Sequence, residues 1–330
     1  MPHVLTFGEI LLRLQGSSEQ LLAPGANDLK IYPGGSEANV AVTLAKMGNP
    51  VYYSSAFPNN GLAKELIHVL ESSGVDCSKH IQSGDRIGLY FLLSANGLTS
   101  GEVIYDRKYS SFSLLKAEEL DFDTLFADVD WLHWSALTPA LSAEMADLMA
   151  LVLQEAKQRD ITISVDLNYR SKLWQYGRTP LEVMPELVQH CDVIMGNIWA
   201  AHNMLGSPIE ENLDKHTERA HYLHLSQQTA DYIFSHYPQA KHIANTFRFI
   251  DNPKHNLFYG TYHSREEQAI SQQYETHEVV DRIGSGDAFM GGLIHALRQP
   301  WDASAIIEYA TATGYQKLFV EGDFGDGKAL

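Results

Sequence analysis

Two glycines flank a serine, and an aspartate follows at once, in Asp281-Arg282-Ile283-Gly284-Ser285-Gly286-Asp287-Ala288-Phe289. Residues 274–280 before it read as extended, and Phe289, Met290, Leu293, Ile294 and Leu297 after it read as one face of a helix. A helix start leaves several backbone N–H groups without partners, at the positive end of the helix dipole. Gly284, Ser285 and Gly286 therefore form a candidate anion hole. Asp287 then places a carboxylate where a plain anion binder would avoid one. A base beside an anion hole suits removal of a hydroxyl proton while amides hold a phosphoryl group. The expected chemistry is phosphoryl transfer to a small alcohol. Taken by itself, the segment also reads as an ordinary glycine-rich helix cap with an acidic first turn. It lacks the Gly-Lys-Ser/Thr of a Walker A loop, the third glycine of a dinucleotide loop, and the G-x-S-x-G of a hydrolase.

A second segment, Pro33-Gly34-Gly35-Ser36-Glu37-Ala38-Asn39-Val40-Ala41-Val42-Thr43-Leu44-Ala45-Lys46-Met47-Gly48, is a glycine turn running into a helix. Its glycines expose amides for substrate oxygens and let another surface approach closely. Together, in this order and at this separation, the two segments resemble the paired signatures of the ribokinase-like (PfkB-type) carbohydrate kinases. The resemblance runs from Phe7-Gly8-Glu9 to Glu321-Gly322-Asp323-Phe324. It implies a three-layer α/β/α fold, a sugar site lined by Gly34, Gly35 and Asn39, and Asp287 as catalytic base. It also implies ATP as donor, with Asn197, Thr246, Gly284, Gly286 and Ala312 at the nucleotide. Mg²⁺ would be held chiefly through water and phosphate, so no direct protein ligand is named.

The elements that must position these groups alternate along the chain. Strand-like runs at residues 51–57, 131–137, 161–167, 193–195 and 242–246 are interleaved with amphipathic helical segments such as 62–70 and 143–156. That order predicts β-α repeats around a mostly parallel sheet, with ligands at the carboxyl ends of the strands, where Asp166, Asn168, Asn197 and Thr246 fall. Residues 12–32 and 87–107 break the rhythm. By resemblance, 12–35 and 87–107 form a β-lid inserted into one domain, and residues 1–11, 36–86 and 108–330 form the core. Such a lid is often also the contact of a homodimer.

The lid and one strand exit suggest the substrate. Tyr90, Tyr105-Asp106-Arg107 and Asp166-Leu167-Asn168-Tyr169-Arg170 resemble the tyrosine-rich lid and the arginines of 2-keto-3-deoxygluconate kinases. This resemblance puts Tyr90, Tyr105 and Arg107 on a sugar acid and Arg170 nearer the transferring phosphate. Guanidinium forks suit carboxylate and phosphate. Kinases for fructose, ribose or a nucleoside, and a weakly active paralogue that binds a sugar acid, are the alternatives. One departure favours the last: Asn197-Ile198-Trp199-Ala200 has alanine where the family's Asn-x-x-Glu has glutamate. His216, His221 and His224 are expected on a solvated helical face, with no carboxylate completing a metal site. The net charge of −17 over 330 residues argues against nucleic acid or an anionic membrane as partner. Two widely spaced cysteines, the absence of a signal-peptide pattern and the absence of a long apolar run suggest a cytoplasmic protein.

Overall fold

The computed structural model describes residues 2–16, 29–93 and 102–330. Among them, nine strands build one sheet in the order Gln268–Ile270, Asn256–Ser264, His242–Phe249, Val193–Gly196, Thr162–Asp166, Val129–Ser135, His3–Phe7, Val51–Ser54, with Tyr274–Thr276 also paired to Asn256–Ser264. The strands from His242–Phe249 to Val51–Ser54 pair in parallel, and the far edge is antiparallel. This is the expected α/β architecture.

Both faces of the sheet are covered because its strands are apolar at successive positions, which point to opposite sides. Leu5, Leu132, Trp134, Ile163, Ile194 and Ile243 pack with buried residues of the helices Ala143–Gln158, Pro180–Val188, Ile198–Leu205 and Arg219–His236. Val4, Trp131, Val193, Met195 and Ala244 face the other way, toward Ser36–Lys46, Gly61–Ser72, Ser285–Leu297 and Ala303–Gln316. The three layers follow from that alternation.

The helices of the two glycine segments lie together on this second face. A Cβ on Gly291 would stand 2.8 Å from Thr43 Cγ2, so only glycine lets these helices close. One turn nearer their starts, Asp287 and Asn39 meet across the same seam. The pitch of the helix thus delivers both motifs to one point.

A separate four-stranded sheet has the order Leu29–Gly34, Leu11–Gly16, Gly88–Leu92, Val103–Asp106. Its strands come from the two stretches that break the β-α rhythm; residues 17–28 and 94–101 lie outside the described residues. Arg13 ties this sheet to the core. Its side chain is fully buried, with Nη2 2.6 Å from Asp281 Oδ2 and Nε 3.1 Å from Asp323 Oδ1. Tyr90 donates to Asp323 Oδ2 at 2.8 Å. Two strands of the small sheet are therefore anchored to residues on either side of the anion-hole helix. Buried charges of this kind persist only when matched, and Arg13 carries both acids.

Candidate active site

The parallel strands release their chains at one end of the sheet, and a cavity of about 750 Å³ opens there between the large and small sheets. That volume is within the range of small-molecule sites, roughly 300–1,000 Å³. Asp287 lines it near the middle. On the small-sheet side stand Gly35, Asn39, Tyr90, Tyr105 and Arg107, and on the other side Asn197, Thr246, Gly284 and Gly286. Arg170 borders it from the loop after Thr162–Asp166.

Three expected residues are placed elsewhere. Gly34 packs against Asp323, whose Oδ2 would be 2.3 Å from a Cβ there. Ser285 is buried, and both its amide and its hydroxyl donate to Arg282 O, at 3.3 and 2.8 Å. Ala312 is buried within the helix Ala303–Gln316, away from the cavity lining. The anion hole is accordingly narrower than the sequence suggests. The first intrahelical bond runs from Ala288 N to Gly284 O, so the amides of Gly286 and Asp287 remain without acceptors in the helix. Gly284 makes the turn possible: its φ is 79°, and a Cβ would lie 2.0 Å from Asp323 O. Beneath it, the buried Lys317 donates to Val320 O, and burial lowers its pKa to about 8. Lys317 thus supports this loop from behind.

Asp287 is held from the helix Ser36–Lys46. Ser36 Oγ donates to its Oδ1 at 2.8 Å and Asn39 Nδ2 to its Oδ2 at 2.6 Å. Burial raises its pKa above the usual carboxylate range, opposed by these two hydrogen bonds and by Arg170 and Lys317. Asn168, at φ 29°, extends the same chain: its amide donates to Asp166 Oδ1 at 2.9 Å and its Nδ2 to Ser36 Oγ at 3.3 Å. Asp166 also lines the cavity, and burial, reinforced by the charge of Asp287, pushes it up to about 7. Two such carboxylates, both oxygen donors, fit a hydrated Mg²⁺. Ala200 lines the cavity and supplies no carboxylate, while its amide donates to Asn197 Oδ1 at 2.7 Å.

On the small-sheet side, Glu9 receives Arg107 Nε at 2.6 Å and the Ser110 hydroxyl. Arg107 Nη1 is buried with no partner among the described residues. Asp323 and Arg248 also line the cavity and were not expected from sequence. Arg248 reaches the cavity because the strand His242–Phe249 runs past Thr246, and positions two apart share a face.

The other histidines are not part of this site. Glu210 Oε2 lies 2.7 Å from His221 Nε2, so a carboxylate does accompany that helix, but no third ligand joins them among the described residues. His255, Glu275 and His277 do converge, with ligand atoms within 4.8 Å. The Asp251 amide donates to His255 Nδ1 at 3.1 Å, which puts the ring proton on Nε2, facing Glu275. That tautomer is occupied by hydrogen bonding and offers no lone pair to a metal. No helix among the described residues is long and apolar enough to cross a membrane, and Cys77 and Cys191 are both free and buried.

Comparison with known proteins agrees with this geometry. The model of the family described as pfkB family carbohydrate kinase matches residues 1–323. A 2-dehydro-3-deoxygalactonokinase of Haloferax volcanii is 27% identical over 97% of this chain and 92% of its own length. A 2-dehydro-3-deoxygluconokinase of Bacillus subtilis is 27% identical over 88% of this chain and 81% of its own. The crystal structure of 2-dehydro-3-deoxygluconokinase from Thermotoga maritima superposes with a TM-score of 0.87 at 31% identity, covering 98% of this chain and 94% of that one.

The raised pKa of Asp166 makes a prediction about stability. Its folded value of about 7 exceeds the ordinary 3.8, so the protonated form is favoured by folding. Its contribution is fully present below about pH 4 and is lost as pH rises through about 7. Asp166→Asn should match wild type near pH 4 in urea unfolding and exceed it by about 2–4 kcal/mol near pH 8. A stability difference that does not change with pH would contradict the assignment.

Proposed function

The chain belongs to the pfkB family of carbohydrate kinases, and from that premise we propose that it transfers the γ-phosphoryl group of ATP to the primary hydroxyl of 2-keto-3-deoxygluconate. The observation that carries the acid specificity is the orphaned Nη1 of Arg107. Glu9 fixes the other side of that guanidinium, so the free donor is pre-aimed rather than mobile. A neutral sugar would offer Arg107 only hydroxyl oxygens, whereas a carboxylate makes the stronger, charge-assisted bond. A substrate carboxylate satisfies it, with Tyr105 at the same wall.

Asp287 is the base. It accepts the hydroxyl proton as the sugar oxygen bonds to the γ-phosphorus and the bond to ADP breaks. Its raised pKa makes it a stronger proton acceptor than an exposed aspartate, while Ser36 and Asn39 keep the carboxylate oriented. The amides of Gly286 and Asp287 hold charge gathering on the phosphoryl oxygens. Mg²⁺, when bound, would supply positive charge to the phosphates, and Asp166 is the residue that would hold it, through water. The small sheet, pinned through Arg13 and Tyr90, keeps water from the sugar end. The product is 2-keto-3-deoxy-6-phosphogluconate.

The small sheet also suggests the assembly. Leu29 and Ile31, two apart on one edge strand, are 46% and 56% exposed, and Ile104 on the opposite edge strand is 43% exposed. Exposed apolar residues on open edges favour a second copy as partner, giving a homodimer through this sheet.

ADP release should be seen with 2-keto-3-deoxygluconate or its galactonate epimer and not with fructose, ribose or adenosine. Asp287→Asn should lower kcat by about 10²–10⁴. Turnover of fructose or ribose instead would overturn the acid assignment. Binding of the acid without turnover would point to a sugar-acid-binding paralogue in which Ala200 has ended catalysis. For the assembly, light scattering should give twice the chain mass, and Ile31→Lys should halve it; a wild-type monomer at micromolar concentration would refute the dimer.

A further inference from the structure

Three arginines border the nucleotide side of the cavity, and among the described residues none of them makes a salt bridge. Arg170 is exposed, its Nη1 donating only to the neighbouring Tyr169 O. Arg282 is buried and gives Nη2 to Asn252 O and His255 O, which anchors it to the loop behind. Arg248 differs from both. Its Nη2 donates to Ser285 Oγ at 2.7 Å, at the first residue of the anion-hole helix, and its Nε is buried without a partner. Its guanidinium carbon also lies over the Phe258 ring, 5.4 Å from the centroid.

Unpaired guanidiniums beside one another repel, and burial adds to the cost. The pKa of Arg248 is lowered to about 10, first by burial and then by Arg282 and Arg170. It stays protonated at neutral pH. None of the three is in a salt bridge among the described residues, although Asp287 acts on Arg248 and Arg170, and Asp281 on Arg282, at longer range. The geometry is that of a cationic wall awaiting a polyanion.

We propose that Arg248 binds the phosphate chain of the nucleotide, extending the anion hole by a charged fork beyond the amides of Gly286 and Asp287. The assignment rests on the kinase reading above. Ser285 serves as its anchor: the hydroxyl that is turned away from the cavity accepts from Arg248 Nη2 and donates its own hydrogen bond to Arg282 O. That explains a serine at a position where neither its amide nor its hydroxyl faces a ligand. The remaining donors of Arg248, and Arg170 across the opening, are then free for phosphate oxygens. Arginine suits this role because a planar fork makes two parallel hydrogen bonds to one phosphate.

Calorimetric binding of ATP, ADP and AMP to wild type, Arg248→Gln, Arg248→Lys and Ser285→Ala separates the possibilities. Arg248→Gln should weaken ATP and ADP by about 10- to 100-fold while changing AMP less than about 2-fold, because only the phosphate-chain contact is lost. Arg248→Lys should recover part of the loss by keeping the charge, and Ser285→Ala should fall between wild type and Arg248→Gln. Should Arg248→Gln fail to fold, the lysine and Ser285→Ala variants carry the same comparison. Equal weakening of all three nucleotides would show a merely structural role and overturn the assignment, as would unchanged ATP binding. A wild-type protein without affinity for any of the three would overturn the kinase reading together with it.

Discussion

A buried carboxylate with two hydrogen-bond donors from a different motif is the constraint on which the site depends. Asp287 sits in the first turn of its helix, where the dipole favours negative charge, yet its burial disfavours it. Ser36 and Asn39 resolve the conflict in favour of a usable base, poised above the normal aspartate range but still held in one orientation. Those donors reach it only because Gly291 and Thr43 allow the two helices to touch. The geometry proposed for catalysis is thus a property of helix packing.

Charge is partitioned around that carboxylate. Glu9, Glu37, Asp166 and Asp323 are all buried close to the cavity. Glu37, Asp166 and Asp323 each have pKa values raised to about 7, burial being the main cause. Arg107 answers Glu9, and Arg13 answers Asp281 and Asp323. The cavity arginines that make no salt bridge among the described residues, Arg170, Arg248 and Arg282, line the side proposed for the phosphate chain. Arg13 makes a further connection: a strand of the small sheet, the loop before the glycine-capped helix and the C-terminal segment meet on one guanidinium. Movement of the small sheet and the geometry of the anion hole are therefore mechanically linked.

Gly284 to Asp287 were legible because their pattern is local: a left-handed glycine, orphan amides and an acid follow from adjacent residues. The β-α alternation was legible for the same reason, since each strand's apolar run is short and self-contained. Arg248 was not, because the strand extends to Phe249 by antiparallel pairing with Asn256–Ser264, and that pairing is long-range. Ala312, a small residue of a late helix, is placed at the nucleotide by the family resemblance alone. The same residue types serve tight helix packing, and in Ala303–Gln316 that use prevails: a Cβ on Gly314 would meet Phe289 and Phe258. Ser285 shows a third limit. Its sequence position places it in the candidate anion hole, but a turn to Arg282 takes both its donors, a competition that only three-dimensional geometry decides.

The central claim is that Asp287, tuned by the helix Ser36–Lys46, is the group whose ionisation governs turnover. The most direct measurement is the pH dependence of kcat/KM for the sugar acid, at saturating ATP, in wild type and Asn39→Ala. Asn39 lowers the pKa of Asp287 by donating a hydrogen bond to the carboxylate, so its removal should raise that pKa. The account predicts an ascending limb above the ordinary carboxylate range that moves to higher pH in the variant. A limb at the same pH in both proteins would mean that another group carries the proton.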